Sequence, residues 1–61
     1  MTKEEIKALR YALCMTQFQF AEHLGVTIAA VSRWENGHAI PTNAIMKILN
    51  NLSKTFISQL P

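Results

Sequence analysis

Apolar positions along this chain recur at helical spacing in four stretches, and a threonine stands at the head of each. After Thr2, residues Ile6, Leu9, Arg10 and Leu13 fall at i, i+3, i+4 and i+7, one face of a helix. Glu5 completes a capping box with Thr2. Thr16 and Gln19 form the same box ahead of Phe20, Ala21 and Leu24. Gly25 supplies the left-handed backbone that ends this second helix, and Val26 can fill the gap before the next. Thr27 caps a third helix. Asn36-Gly37 closes it, since both residue types tolerate positive φ. Pro41 pushes Ile40 out of the helical region, and Thr42 caps a fourth helix whose stripe is Ile45, Ile48, Leu49 and Leu52. Asn50, Asn51 and Ser53 weaken that helix, so it is expected to end near Leu52. The tail 53–61 can add a turn or two, with Phe56, Ile57 and Leu60 on one side. That side either closes the core or contacts a second copy.

The third helix divides into two arcs at about 100° per residue. Ala30, Val31 and Trp34 form a core arc with Glu35 at its edge. The other arc holds Ile28, Ala29, Ser32, Arg33 and Asn36. A plain surface helix would carry Glu and Lys there; this arc is small and lightly polar, suited to lying flat against base edges. Two short helices joined by a tight glycine turn, the second anchored on one face only, have the layout of a helix-turn-helix over 16–37. The expected fold is therefore all-α: a compact bundle of four or five helices, one domain over 1–61.

Composition adds exclusions. The net charge of +2 is compatible with a DNA partner and weak support for one. No run of about 18 apolar residues suggests a membrane span. The charged start Thr2-Lys3-Glu4-Glu5 lacks a signal core, and one cysteine suits a reducing compartment, so a cytoplasmic location is expected. Two histidines, one cysteine and four acids stand in no metal or nucleophile spacing, so neither an enzyme nor a cofactor is expected. His23 and His38 read as surface residues, and Cys14 as a small packing residue at the end of the first helix. Phe18 flanks the apolar arc of its helix, which suits packing on a neighbouring helix or a partner contact. Arg10 is the anomaly, a cation inside an apolar stripe. It can snorkel to water, or pair with Glu35 and tie the first helix to the third.

Leu9-Arg10, Met15-Thr16-Gln17, Phe20-Ala21, Leu24-Gly25-Val26-Thr27, Val31-Ser32, Trp34-Glu35-Asn36-Gly37 and Pro41 together resemble the Cro/CI-like helix-turn-helix regulators of bacteria and phages. The resemblance covers about Glu5 to Leu52 and implies a lambda-repressor-like DNA-binding domain. It implies that Gln17 meets a phosphate, that Thr27, Ile28, Ala29, Ser32 and Arg33 face DNA, and that Asn36 and the following loop approach the backbone. It also implies an Arg10–Glu35 ion pair. Two departures stand out. Ile28 and Ala29 replace the polar side chains frequent there, leaving only apolar contact with thymine methyls. The loop after Gly37 has His38 as its only basic candidate.

The function implied is sequence-specific transcription regulation on double-stranded DNA, as a Cro-like repressor on a pseudo-palindromic operator. A weak homodimer would do this, formed in solution or only on DNA. The same module also serves as an antitoxin that binds a toxin protein and its own promoter. A third alternative is a protein-interaction module that retains the fold, for which the thin basic complement and the Ile28-Ala29-Ala30 run would suit. Gln17 and Arg33 argue against it.

Overall fold

A computed structural model describes the backbone of residues 1–58 and the side chains of residues 1–55. Four helices follow one another: α1 (Lys3–Ala12), α2 (Gln17–Leu24), α3 (Ile28–Glu35) and α4 (Asn43–Ser58). No strand occurs among the described residues. α3 packs against both α1 and α2. Ile6, Leu9, Phe20, Ala21, Leu24, Val31, Trp34 and Leu49 form the buried core, so all four helices contribute to it. Each large apolar side chain buried there contributes roughly 1.5–3 kcal/mol.

The starts are made by the threonines. Thr2 Oγ1 accepts from the Glu5 N–H at 3.2 Å while Glu5 Oε1 accepts from the Thr2 N–H at 2.8 Å. Thr16 and Gln19 repeat this box at 3.1 and 3.0 Å. Thr27 Oγ1 accepts from Ala30 at 3.2 Å, and Thr42 Oγ1 from Ile45 at 3.4 Å. Each bond satisfies an amide that the first helical turn leaves without a partner.

The ends of α1, α2 and α3 share one construction. The Met15 N–H reaches back to the Arg10 carbonyl at 3.1 Å and the Cys14 N–H to Tyr11 at 2.9 Å. Val26 reaches Ala21 at 2.9 Å and Gly25 reaches Glu22 at 3.3 Å; His38 reaches Arg33 at 2.8 Å and Gly37 reaches Trp34 at 3.2 Å. This paired closure is the Schellman motif, which requires a left-handed residue just past the helix. Gly25 (φ 73°) and Gly37 (φ 77°) fill that place in α2 and α3. Of the two residues that tolerate positive φ, Gly37 adopts it and Asn36 stays right-handed at φ −93°. One left-handed residue ends the helix, and Gly37 meets that need at lower cost than a residue with a Cβ.

In α1 the left-handed residue is Cys14, at φ 59°. It is exposed, so the packing role expected of it is not what holds it there. The left-handed region costs a non-glycine residue roughly 1–2 kcal/mol, part of which glycine loses again through the unfolded chain. Cys14→Gly is therefore expected to stabilise the domain by about 0.5–1 kcal/mol. Gly25→Ala should cost about 1 kcal/mol, for conformational reasons alone, because a Cβ there would meet nothing within 4 Å. Urea denaturation of both variants checks the pair, and a destabilised Cys14→Gly would mean that the cysteine side chain stabilises the turn.

The fourth helix departs from expectation in two ways. It runs unbroken past Leu52 to Ser58. Neither glycine nor proline interrupts it, and the propensity penalties of Asn and Ser are only a few tenths of a kcal/mol each. Its core face is also narrower than the stripe suggests. Leu49 is fully buried and Ile45, Met46 and Leu52 are half-buried, but Ile48 is 40% exposed. The side chains of Phe56 and Ile57, and Leu60 altogether, lie outside the described residues.

Candidate nucleic-acid interface

The residues of α3 and its two caps, Thr27 and Asn36, sort onto two sides as the 3.6-residue period requires. Val31, Trp34 and Glu35 are buried, and Ala30 is half-buried against the core. Thr27, Ile28, Ala29, Arg33 and Asn36 are exposed, and Ser32 is half-buried between the two sets. Ile28 retains 47% of its surface. The exposed side is thus an apolar first turn followed by one guanidinium in the last.

Two of the expected contact residues are engaged with each other. Asn36 Nδ2 donates to the Ser32 carbonyl at 2.9 Å and to Ser32 Oγ at 3.3 Å. The amide folds back on its own helix. His38 follows in the turn, exposed, with its backbone N–H held by Arg33.

The strongest polar feature lies behind α3. Arg10 Nε donates to Glu35 Oε2 at 2.7 Å, and an η nitrogen of the same guanidinium donates to Glu35 Oε1 at 3.0 Å. The pair is bidentate, with side chains only 9% and 3% exposed. The other η nitrogen donates to the Met15 carbonyl at 3.0 Å, so the guanidinium also holds the α1–α2 turn. The Tyr11 ring covers it, with its centroid 4.5 Å from Cζ. Arg10 therefore keeps its head inside the fold rather than sending it to water.

Gln17 joins this network. Its Nε2 donates to Glu35 Oε1 at 3.2 Å, and the residue is half-buried. The first residue of α2 is thus tied to the last residue of α3. Burial pushes the Glu35 carboxyl upward, but the hydrogen bonds from Arg10 and Gln17, with the charges of Arg10 and Lys7, outweigh it and hold it below the usual carboxylate range. Every buried side-chain nitrogen and oxygen among the described residues has a partner.

Three features of this surface escape sequence reasoning. The Gln17–Glu35 bond joins residues that no helical period relates. Phe18 is not part of the core cluster; it stands 59% exposed at the start of α2. Lys3 lies beside Gly37, at the end of α3. No cluster of three or more metal-ligating side chains occurs among the described residues, and none of their helices is long and apolar enough to cross a membrane.

A family model described as helix-turn-helix matches residues 6–56, covering α1 from Ile6 onward, the α2–α3 pair and most of α4. The chain belongs to the Cro/CI-type helix-turn-helix family. Within it, this domain is 33% identical over 57 residues to the HTH-type transcriptional activator BcrR of Enterococcus faecalis. The match takes in 93% of this chain and spans 28% of the relative's length. No solved structure matches the domain significantly.

Proposed function

We propose that this helix-turn-helix domain is a sequence-specific DNA-binding transcription regulator that reads a pseudo-palindromic operator as a homodimer. The observation that carries this reading is the division of α3. Its inner side is locked by Val31, Trp34 and the Arg10–Glu35 pair, while Thr27, Ile28, Ala29 and Arg33 are left uncovered. A helix fixed from behind and open in front can enter the major groove without reorganising.

The roles divide by chemistry. Arg33 is suited to guanine O6 and N7, and Ile28 and Ala29 to thymine methyls. Gln17, with the unpaired amides of the α2 N-terminus, is suited to a phosphate. Its bond to Glu35 uses one amide hydrogen and sets the direction of the rest. Thr27, Ser32, Asn36 and His38 border the same surface; Asn36 must release Ser32 to contact DNA through its Nδ2.

A Cro-like repressor is the simplest outcome, because occupying a site is enough to block it. Similarity to a transcriptional activator favours a second reading, in which the bound domain also contacts the transcription machinery. A promoter reporter with the operator placed upstream and then across the start site separates them.

Dimerisation follows from charge. Six lysines and arginines serve the whole chain, and Arg10 is spent internally. One copy makes too few phosphate contacts to hold a site tightly. Two copies about a two-fold axis would set the α3 helices about 34 Å apart, one turn of DNA. Ile48, left exposed by α4, and the tail residues Phe56, Ile57 and Leu60 are the apolar candidates for the contact. Selection from a random DNA pool followed by footprinting should give two half-sites about 10 bp apart. One half-site at saturation, with one protein per duplex by light scattering, would overturn the dimer. Selection of no DNA at all would overturn the proposal.

A further inference from the structure

The segment between Gly37 and Lys47 contains no lysine or arginine, yet it follows directly from the end of the helix proposed to read DNA. The fold brings a cation there from the other end of the domain. Lys3, in the first turn of α1, lays its side chain over Gly37. A Cβ at Gly37 would stand 3.3 Å from Lys3 Cδ and 3.4 Å from Nζ. Because Gly37 has none, the lysine stem rests on the turn itself.

A structural duty for this ammonium is hard to find. Three carbonyls in the last turn of α3 already have donors. Ser32 accepts from the backbone and side chain of Asn36, Arg33 from the N–H groups of His38 and Ala39, and Trp34 from Gly37. The nearby Glu5 carboxylate is engaged by the Thr2 N–H. Among the described residues the ion pair is that of Arg10 with Glu35, and Lys3 takes part in none. Lys3 is therefore an exposed, uncommitted cation held beside the α3–α4 turn.

We propose that Lys3 is a phosphate-contacting residue of the DNA interface, supplying in space the positive charge that the turn after α3 lacks in sequence. This rests on the DNA-binding reading above. A lysine is a point charge with rotatable donors, suited to a phosphate rather than to a base edge. Lys3 would set affinity and register without choosing the sequence.

The test uses the full chain and the operator selected by the wild-type protein. Lys3→Gln should weaken binding about fivefold near 0.1 M salt, equally on the operator and on unrelated duplex. It should also reduce the slope of log K against log salt by about 1, the signature of one lost phosphate contact. Lys3→Arg should restore both. Thermal melting without DNA should be unchanged by either substitution, since Lys3 satisfies no buried group. Wild-type-like binding and slope in Lys3→Gln would overturn this inference while leaving the DNA-binding reading standing. So would a loss confined to one base pair, or a loss that tracks a lowered melting temperature. A wild-type protein that binds no duplex would remove both proposals together.

Discussion

Arg10→Met should destabilise the domain by about 3 kcal/mol, the lower end of the range for a buried ion pair that loses one partner. The lower end applies because the domain measures only 34 × 22 × 20 Å, so no residue lies far from water. Methionine keeps most of the stem packing, so the loss reports the guanidinium. Three bonds disappear with it: two to Glu35 and one to the Met15 carbonyl. A stability of roughly 0.05–0.15 kcal/mol per residue makes this a large share of the total. Glu35→Gln should cost less, because an uncharged amide can still accept from the guanidinium. The double variant should fall well short of the sum of the two. Strict additivity in urea denaturation would mean that the two residues act independently.

The same pair sets an acid limit. The Glu35 carboxyl is lowered in the folded state, so it contributes stability that is fully present above the unfolded carboxylate value of about 4.3. That contribution is lost as pH falls below this value and through the folded one. In Arg10→Met the burial that opposes ionisation remains while the strongest opposing bond is gone. The variant should therefore lose less stability than the wild type as pH falls below about 4.3, because less lowering of the Glu35 carboxyl is left to lose. Parallel stability–pH curves would argue against the coupling.

Arg33→Ala is the corresponding expectation for recognition. Its backbone carbonyl accepts from both His38 and Ala39, so the side chain leaves the helix from a doubly pinned point. Loss of one specific guanidinium contact should weaken operator binding by about 1–3 kcal/mol and relax the preference at one base pair per half-site. Titration of operator variants reads both effects. An equal loss on operator and random DNA would move Arg33 from a base to a phosphate.

Local chemistry made most of the fold legible. Thr2, Thr16 and Thr27 announce their helices because a cap and its partner lie three residues apart in any context. Gly25 and Gly37 announce the stops for the same reason. Where a decision depends on the whole molecule, the residue alone misleads. Cys14 takes a glycine's conformation because the closure of α1 demands it, not because cysteine prefers it. Ile48 completes a helical period, yet the core is too small to cover it. Asn50, Asn51 and Ser53 are poor helix formers outweighed by an uninterrupted helix. At the candidate interface, periodicity separated the two sides of α3. It was silent on Gln17 meeting Glu35 and on Lys3 meeting Gly37, since both meetings depend on how helices cross.

The exposed Cys14 has a practical consequence for assembly. It is the chain's one thiol, and in air two copies can join through it. Such a covalent pair is held together at the α1–α2 turns, whatever the spacing of the α3 helices. A doubled mass that vanishes with reductant reports sulfur oxidation and carries no information about half-site geometry. Mass measured in reductant, or on Cys14→Ser, is the quantity that bears on how two copies meet an operator.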